Sequence, residues 1–177
     1  MKKFPALLLV FIVAMLGTGV IHNRYSPQKE DVVLRKDYAA YLKAVFPAHS
    51  RQIFDVGDLT IYSLEASDGG YEGANTFHGS KVLGSAKLTS DGAAKLRSAF
   101  YTNAPKDGIG ALCFWPRMGI RAQQGNQTLD LLICFECGHI DSCYGDKQVE
   151  NQFSSQGRES FKDIYKQAGL QLDKTGR

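Results

Sequence analysis

The sequence predicts an α+β domain, an antiparallel sheet of about four strands with helices on one face, preceded by an N-terminal apolar helix. Three observations carry this. A chain of 177 residues is the size of one domain plus a short extension. Segments with helical and with strand-like apolar spacing alternate as helix, two strands, helix, two strands, helix. Two strand-like runs flank Gly125-Asn126, the strongest hairpin signal in the chain.

The first element is membrane-directed. Lys2 and Lys3 precede an 18-residue uncharged run, Phe4 to Ile21 (FPALLLVFIVAMLGTGVI), and charge returns only at Arg24. A bilayer span needs roughly 17 to 25 residues, so the run reads as a retained anchor. It also reads as a cleavable signal peptide, whose apolar core is shorter. Gly17-Thr18-Gly19 supplies small residues for cleavage without the Ala-x-Ala form, and no cysteine stands there to accept a lipid. On either reading residues 1–23 engage the membrane and residues 24–177 form one extracytoplasmic domain, with the two lysines on the cytoplasmic side. The expected location is the cell envelope: anchored in the inner membrane and facing the periplasm or exterior, or released to the periplasm after cleavage.

Ser26-Pro27 is a helix-start signature, and Leu34, Tyr38, Tyr41, Leu42 and Val45 then recur at helical spacing up to Pro47. Leu59 to Ala66 (LTIYSLEA) alternates and is rich in strand formers, which predicts a strand. Ser67 to Ser80 holds four glycines and few apolar residues, too long for a tight hairpin and therefore a candidate functional loop. KVLGSAKLT reads as the second strand. SDGAAKLRSAF reads as a helix with Ser90 as N-cap and Ala93, Leu96 and Phe100 inward. ALCFWPRMGIRAQQ and TLDLLICFECGHI form the hairpin about Gly125-Asn126, with Pro116 tolerated only at an edge or bulge. A last helix runs from about Gly157 to Ala168, with Phe161, Ile164, Tyr165 and Ala168 on one face and Gly169 as its stop.

Charge excludes one class of partner. The chain carries 21 basic and 18 acidic residues, interspersed rather than blocked, and setting aside Lys2 and Lys3 leaves a net charge of +1. No basic footprint for nucleic acid remains. No Walker loop, dinucleotide fingerprint, His-Glu-x-x-His or nucleophile elbow occurs either.

Three of the four cysteines fall within CFECGHIDSC, Cys134 to Cys143. Cys134-x-x-Cys137 followed by Gly138 has the form of a zinc knuckle, and Cys113, Cys134, Cys137, His139 and Cys143 are the alternative metal ligands. A second knuckle is missing, and an extracytoplasmic location favours disulfides. In a regular strand Cys134 and Cys137 point to opposite sides, so they meet only where the chain turns, for which Gly138 offers a place. With Gly125 and Asn126 at the turn, Cys113 falls opposite Gly138 and beside Cys137. A one-residue bulge would then bring Cys113 to Cys137, leaving Cys134 to meet Cys143 through a bend. Disulfides among these four are the leading expectation, ahead of structural zinc, a redox pair or buried free thiols. A redox Cys-x-x-Cys belongs at a helix N-terminus, whereas LLICFEC is strand-like.

His78, in NTFHGS near Tyr71 and Glu72, is a candidate catalytic histidine, but no nucleophile motif accompanies it and a solvent-facing loop position is the plainer reading. Arg117 and Arg121 leave one strand face about 13 Å apart and are candidates for binding an anion. The plainer reading pairs them with Asp130 and Glu136 on the partner strand. Phe114 and Trp115 read as sheet-face packing before a recognition surface.

CFWPRMGIR followed by LDLLICFECGHI resembles a group of uncharacterised bacterial envelope or lipoprotein-like proteins, whose pattern joins Cys, Pro, Arg, His, Gly and Ile to ICFEC or ICFTC on the next strand. Cys113, Pro116, Arg117, Gly119, Cys134 and Cys137 match it, and Met118 stands where that pattern has histidine. The resemblance implies the envelope location and a cysteine cluster, and implies no activity. The expected function is thus a binding or structural role in the envelope, stabilised by disulfides and without a cofactor. The alternative is a zinc-binding or thiol-redox protein built on Cys134 and Cys137.

Overall fold

Alternation along the strands sorts the side chains into two layers. In the computed structural model, which describes residues 38–47, 49–67, 69–102, 114–154 and 157–173, helices pack on one face of a seven-stranded antiparallel sheet. The strands are β1 (Asp58–Leu64), β2 (Thr76–Phe77), β3 (Ser80–Lys87), β4 (Met118–Gln124), β5 (Gln127–Cys134), β6 (His139–Tyr144) and β7 (Lys147–Gln152). Their order is β2-β3-β1-β4-β5-β6-β7. Leu59, Ile61, Ile120, Ala122, Leu129, Leu131, Ile133 and Ile140 face the helices and are buried. Each of these leucines and isoleucines contributes about 1.5–3 kcal/mol on burial.

The helices are α1 (residues 38–45), α2 (Ser50–Val56), α3 (Ser90–Thr102) and α4 (Arg158–Gln167). Leu42 and Val45 of α1, Ala93, Leu96 and Phe100 of α3, and Phe161, Ile164 and Tyr165 of α4 are buried as their spacing predicts. The cap of α3 differs from expectation: Thr89 Oγ1 accepts the Gly92 N–H at 3.2 Å, so Thr89 does what was expected of Ser90. Helix α2 was not expected, because its seven residues follow a helix-stopping Pro47 and are too few to establish a period. Tertiary contacts hold it. Ile53 and Phe54 are buried, and Arg97 donates to the carbonyls of Phe54 at 2.7 Å and Gly57 at 2.6 Å.

Seven strands replace the expected four. β2 comes from within the glycine-rich loop, and β6 and β7 form an additional hairpin about Gly145-Asp146. The sequence KQVENQ of β7 holds one apolar residue, so an edge strand left no hydrophobic alternation to read. β4 begins at Met118, later than expected, and Pro116 precedes it. The run Phe4 to Ile21 and the helix start at Ser26-Pro27 lie outside the described residues, among which no helix is long and apolar enough to cross a membrane.

Candidate functional site

The sheet face away from the helices carries a polar cluster that strand register assembles. The turn at Gly125-Asn126 sets Arg121 of β4 directly opposite Asp130 of β5. On its other side Asp130 is paired with Cys143 of β6, and directly opposed side chains stand about 4.5–5.5 Å apart at Cβ. Arg121 donates from Nε to Asp130 Oδ1 at 2.8 Å and from Nη2 to Oδ2 at 2.7 Å, a two-point grip on a buried carboxylate.

The third member arrives from above. Residues 69–80 fold back on themselves, with the Tyr71 N–H donating to the Gly79 carbonyl at 3.0 Å. The Phe77 ring stacks on Tyr62 with centroids 4.5 Å apart and rests on Gly119, where a Cβ would come within 2.8 Å of it. Glycine is required there by the close approach. This seats His78 over the sheet, with Nε2 at 2.8 Å from Asp130 Oδ2. His78 has φ +50, the one non-glycine residue with positive φ among the described residues. Non-glycine residues in this region carry strain of about 1–3 kcal/mol and persist where surrounding contacts over-determine them, often at functional sites.

The electrostatics follow from these contacts. The hydrogen bond to Asp130 and then that to Cys143, with the charges of both, outweigh desolvation and raise His78 to about 9 from 6.5. Burial alone would raise Asp130, but Arg121 and His78, by hydrogen bond and charge, bring it below the usual carboxylate value. Two cations thus flank one carboxylate. Nearby Asp141 is shifted up, chiefly by burial, although Gln148 donates to it at 3.0 Å.

Beside His78 lies an open cleft of about 410 Å³. Phe114, Pro116 and Leu132 supply its apolar wall, and His78, Asp141 and Gln148 its polar one. The cleft thus joins a small apolar wall to several convergent polar groups, one feature of small-molecule sites.

The cysteines are distributed differently from expectation. Cys134 and Cys137 are joined to each other in a disulfide, with Cα atoms 5.5 Å apart, so Cys137 is not linked to Cys113 nor Cys134 to Cys143. The reason is local. β5 ends at Cys134 and the chain reverses over residues 135–138, with Gly138 at φ +65, so the two cysteines escape the face alternation of a strand. Both are buried, which suits a structural link better than an exposed redox pair. Cys143 is a free thiol, partly exposed, and Cys113 lies outside the described residues. His139 pairs across the ladder with Cys134, and its ring lies 6.4 Å from that of Phe114. Among the described residues no group of three or more His, Cys, Asp or Glu is placed to hold a metal ion.

Both arginines meet the carboxylates available to them. Arg121 holds Asp130, while Arg117 Nε lies 3.3 Å from Glu136 Oε1 and Arg117 Nη1 donates to the Asp173 carbonyl at 2.7 Å. Phe114 packs with the apolar cluster of Leu64, Phe77 and Leu132. His78, Asp130, Arg121 and Cys143 each stand out in the sequence for a separate reason, and what sequence reasoning missed was their convergence. The Gly125-Asn126 register signals the Arg121–Asp130 half. The fold of the glycine-rich loop, which brings His78, has no such local signal.

No protein-family model, curated protein or solved structure matches this chain.

Proposed function

We propose that the protein is an exported or membrane-anchored domain of the bacterial cell envelope that binds a small, partly apolar ligand in the cleft beside His78. The observation that carries the binding role is His78 itself, held at positive φ and gripped by Asp130 at the mouth of that cleft. The ligand's apolar body meets Phe114, Pro116 and Leu132, and its polar group meets His78, Asp141 and Gln148. Lys2, Lys3 and the uncharged run Phe4 to Ile21 support export. The Cys134–Cys137 disulfide supports a compartment in which thiols oxidise. Its structural role is to close the turn between β5 and β6, which position Asp130 and Cys143.

Two measurements test the two halves. Fractionation of the native host, with intact mass, is expected to place the chain in membrane or periplasm, with the apolar run retained or removed. Full-length chain in the cytoplasm, with Cys134 and Cys137 reduced, sinks the export reading. For the cleft, thermal shift against a panel of small amphiphiles is expected to find compounds that stabilise the wild type and fail to stabilise Gln148→Ala. Equal stabilisation of both proteins would remove the cleft as the site.

A further inference from the structure

We infer that the ligand of this cleft is a single free α-amino acid with an apolar side chain, its carboxylate turned to His78 and Ser80 and its ammonium to Asp141. The inference rests on the cleft-binding reading above and adds the ligand's chemical class.

The two ends of the cleft differ in charge. At one end Arg121 and His78 both hold Asp130, so with His78 protonated these three groups sum to one positive charge. Ser80 stands beside them, on the same face of β3 as Val82, two residues on. It is buried and lines the cleft, and its hydroxyl has no hydrogen-bond partner among the described residues. A hydroxyl so placed is a donor with an unmet partner. An anionic group belongs at this end.

Asp141 forms the other end. It lies directly opposite Leu132 of β5 and Glu150 of β7, and it is buried. Gln148 donates to Oδ2 at 3.0 Å, whereas Oδ1 accepts no hydrogen bond and enters no ion pair among the described residues. Glu150 adds to the negative charge there, while His139 and His78 act on Asp141 through space alone. A buried carboxylate with an open oxygen carries a desolvation cost that a bound ammonium would offset.

The spacing suits one amino acid. His78 docks where Asp130 and Cys143 face each other, and Asp141 is two residues from Cys143 on the same face of β6, about 7 Å along the strand. In a free amino acid the ammonium nitrogen and a carboxylate oxygen lie about 3 Å apart. With a hydrogen bond of about 2.8 Å at each end, the bent bridge spans about that distance. A peptide cannot form it, because its ammonium and carboxylate belong to different residues. Phe114, Pro116 and Leu132 remain to receive the side chain, and about 410 Å³ is at the small end of ligand pockets.

The test is calorimetric titration of the full chain with L-phenylalanine and three analogues: phenylpropionate without the ammonium, phenethylamine without the carboxylate, and phenylpropanol with neither. Phenylalanine is expected to bind at least tenfold more tightly than each analogue. Asp141→Asn should weaken phenylalanine and phenethylamine tenfold or more and leave phenylpropionate no weaker. Ser80→Ala should weaken phenylalanine and phenylpropionate and spare phenethylamine, a crossed pattern that general loss of structure cannot produce. An analogue bound as tightly as phenylalanine, or Asp141→Asn without effect on phenylalanine, overturns the amino-acid assignment. The cleft reading survives that result if Gln148→Ala still abolishes binding. Binding of none of the four compounds overturns the assignment, and failure of the wider amphiphile panel as well removes the cleft reading with it.

Discussion

The His78 imidazole and the Asp130 carboxylate stand 52 residues apart in the chain and 2.8 Å apart in the fold. Asp130 is buried and is simultaneously held by Arg121, so it is a fixed post to which the loop carrying His78 is tied. This one contact joins the glycine-rich loop to β5, an interior strand of the sheet.

Stability should depend on the protonation of His78. Its folded value, about 9, lies above the ordinary 6.5, so the folded state binds this proton more tightly than the unfolded chain does. The stabilisation is therefore complete below pH 6.5 and lost as pH rises through 9. His78 is 35% exposed, and after allowing for solvent screening the loss is about 1–2 kcal/mol. Urea unfolding at pH 6 and pH 9.5 should show this drop in the wild type and a much smaller one in His78→Gln. Equal drops in both proteins would mean that another group is responsible.

Gly119 is the place where both layers touch. Its carbonyl accepts the buried Tyr165 hydroxyl at 2.8 Å, and Phe77 covers its Cα on the opposite face. Gly119→Ala should cost about 1–3 kcal/mol by overpacking. It should also displace Phe77, and with it the neighbouring His78, visible as a shift of the His78 ring resonances. Unperturbed resonances in a folded Gly119→Ala protein would contradict the stacking of Phe77 on this strand.

The Cys134–Cys137 link closes a very short loop, with a sequence separation of 3. Chain-entropy reasoning assigns it about 2 kcal/mol, near the low end for disulfides. The double variant Cys134→Ala/Cys137→Ala should therefore melt about 4–8 °C lower yet remain folded. Complete loss of folding would show a larger role than closing one turn.

Asp141 carries a charge that its burial opposes. Asp141→Asn keeps an acceptor for Gln148 and removes that charge, so stability at pH 7 should rise by about 0.5–1 kcal/mol. A site built for ligand contact would pay for that gain in affinity. Destabilisation on this substitution would indicate that the ionised carboxylate is instead a favourable partner of His78.

How much of this could be read beforehand depends on whether the information was local. The inner faces of α3 and α4 were legible because Ala93, Leu96 and Phe100, and Phe161, Ile164 and Tyr165, repeat with the turn of the helix. The β4–β5 hairpin was legible because Gly125-Asn126 sets its register, and that register carries Arg121 to Asp130. β7 was not legible, since an edge strand needs no apolar alternation, and α2 was not, since its seven residues depend on Arg97 from another helix. The cysteine pairing turned on where β5 stops. Read as a continuous strand, the segment keeps Cys134 and Cys137 on opposite faces, but the reversal at residues 135–138 brings them together.

By itself, then, the sequence determined the α+β class, the inward faces of its periodic helices and the central hairpin. Only the tertiary structure decided that His78, Asp130, Arg121 and Cys143 share one site. Periodicity and turn chemistry act over a few residues, whereas the return of a glycine-rich loop onto a sheet is set by packing, here the seat that Gly119 leaves for Phe77.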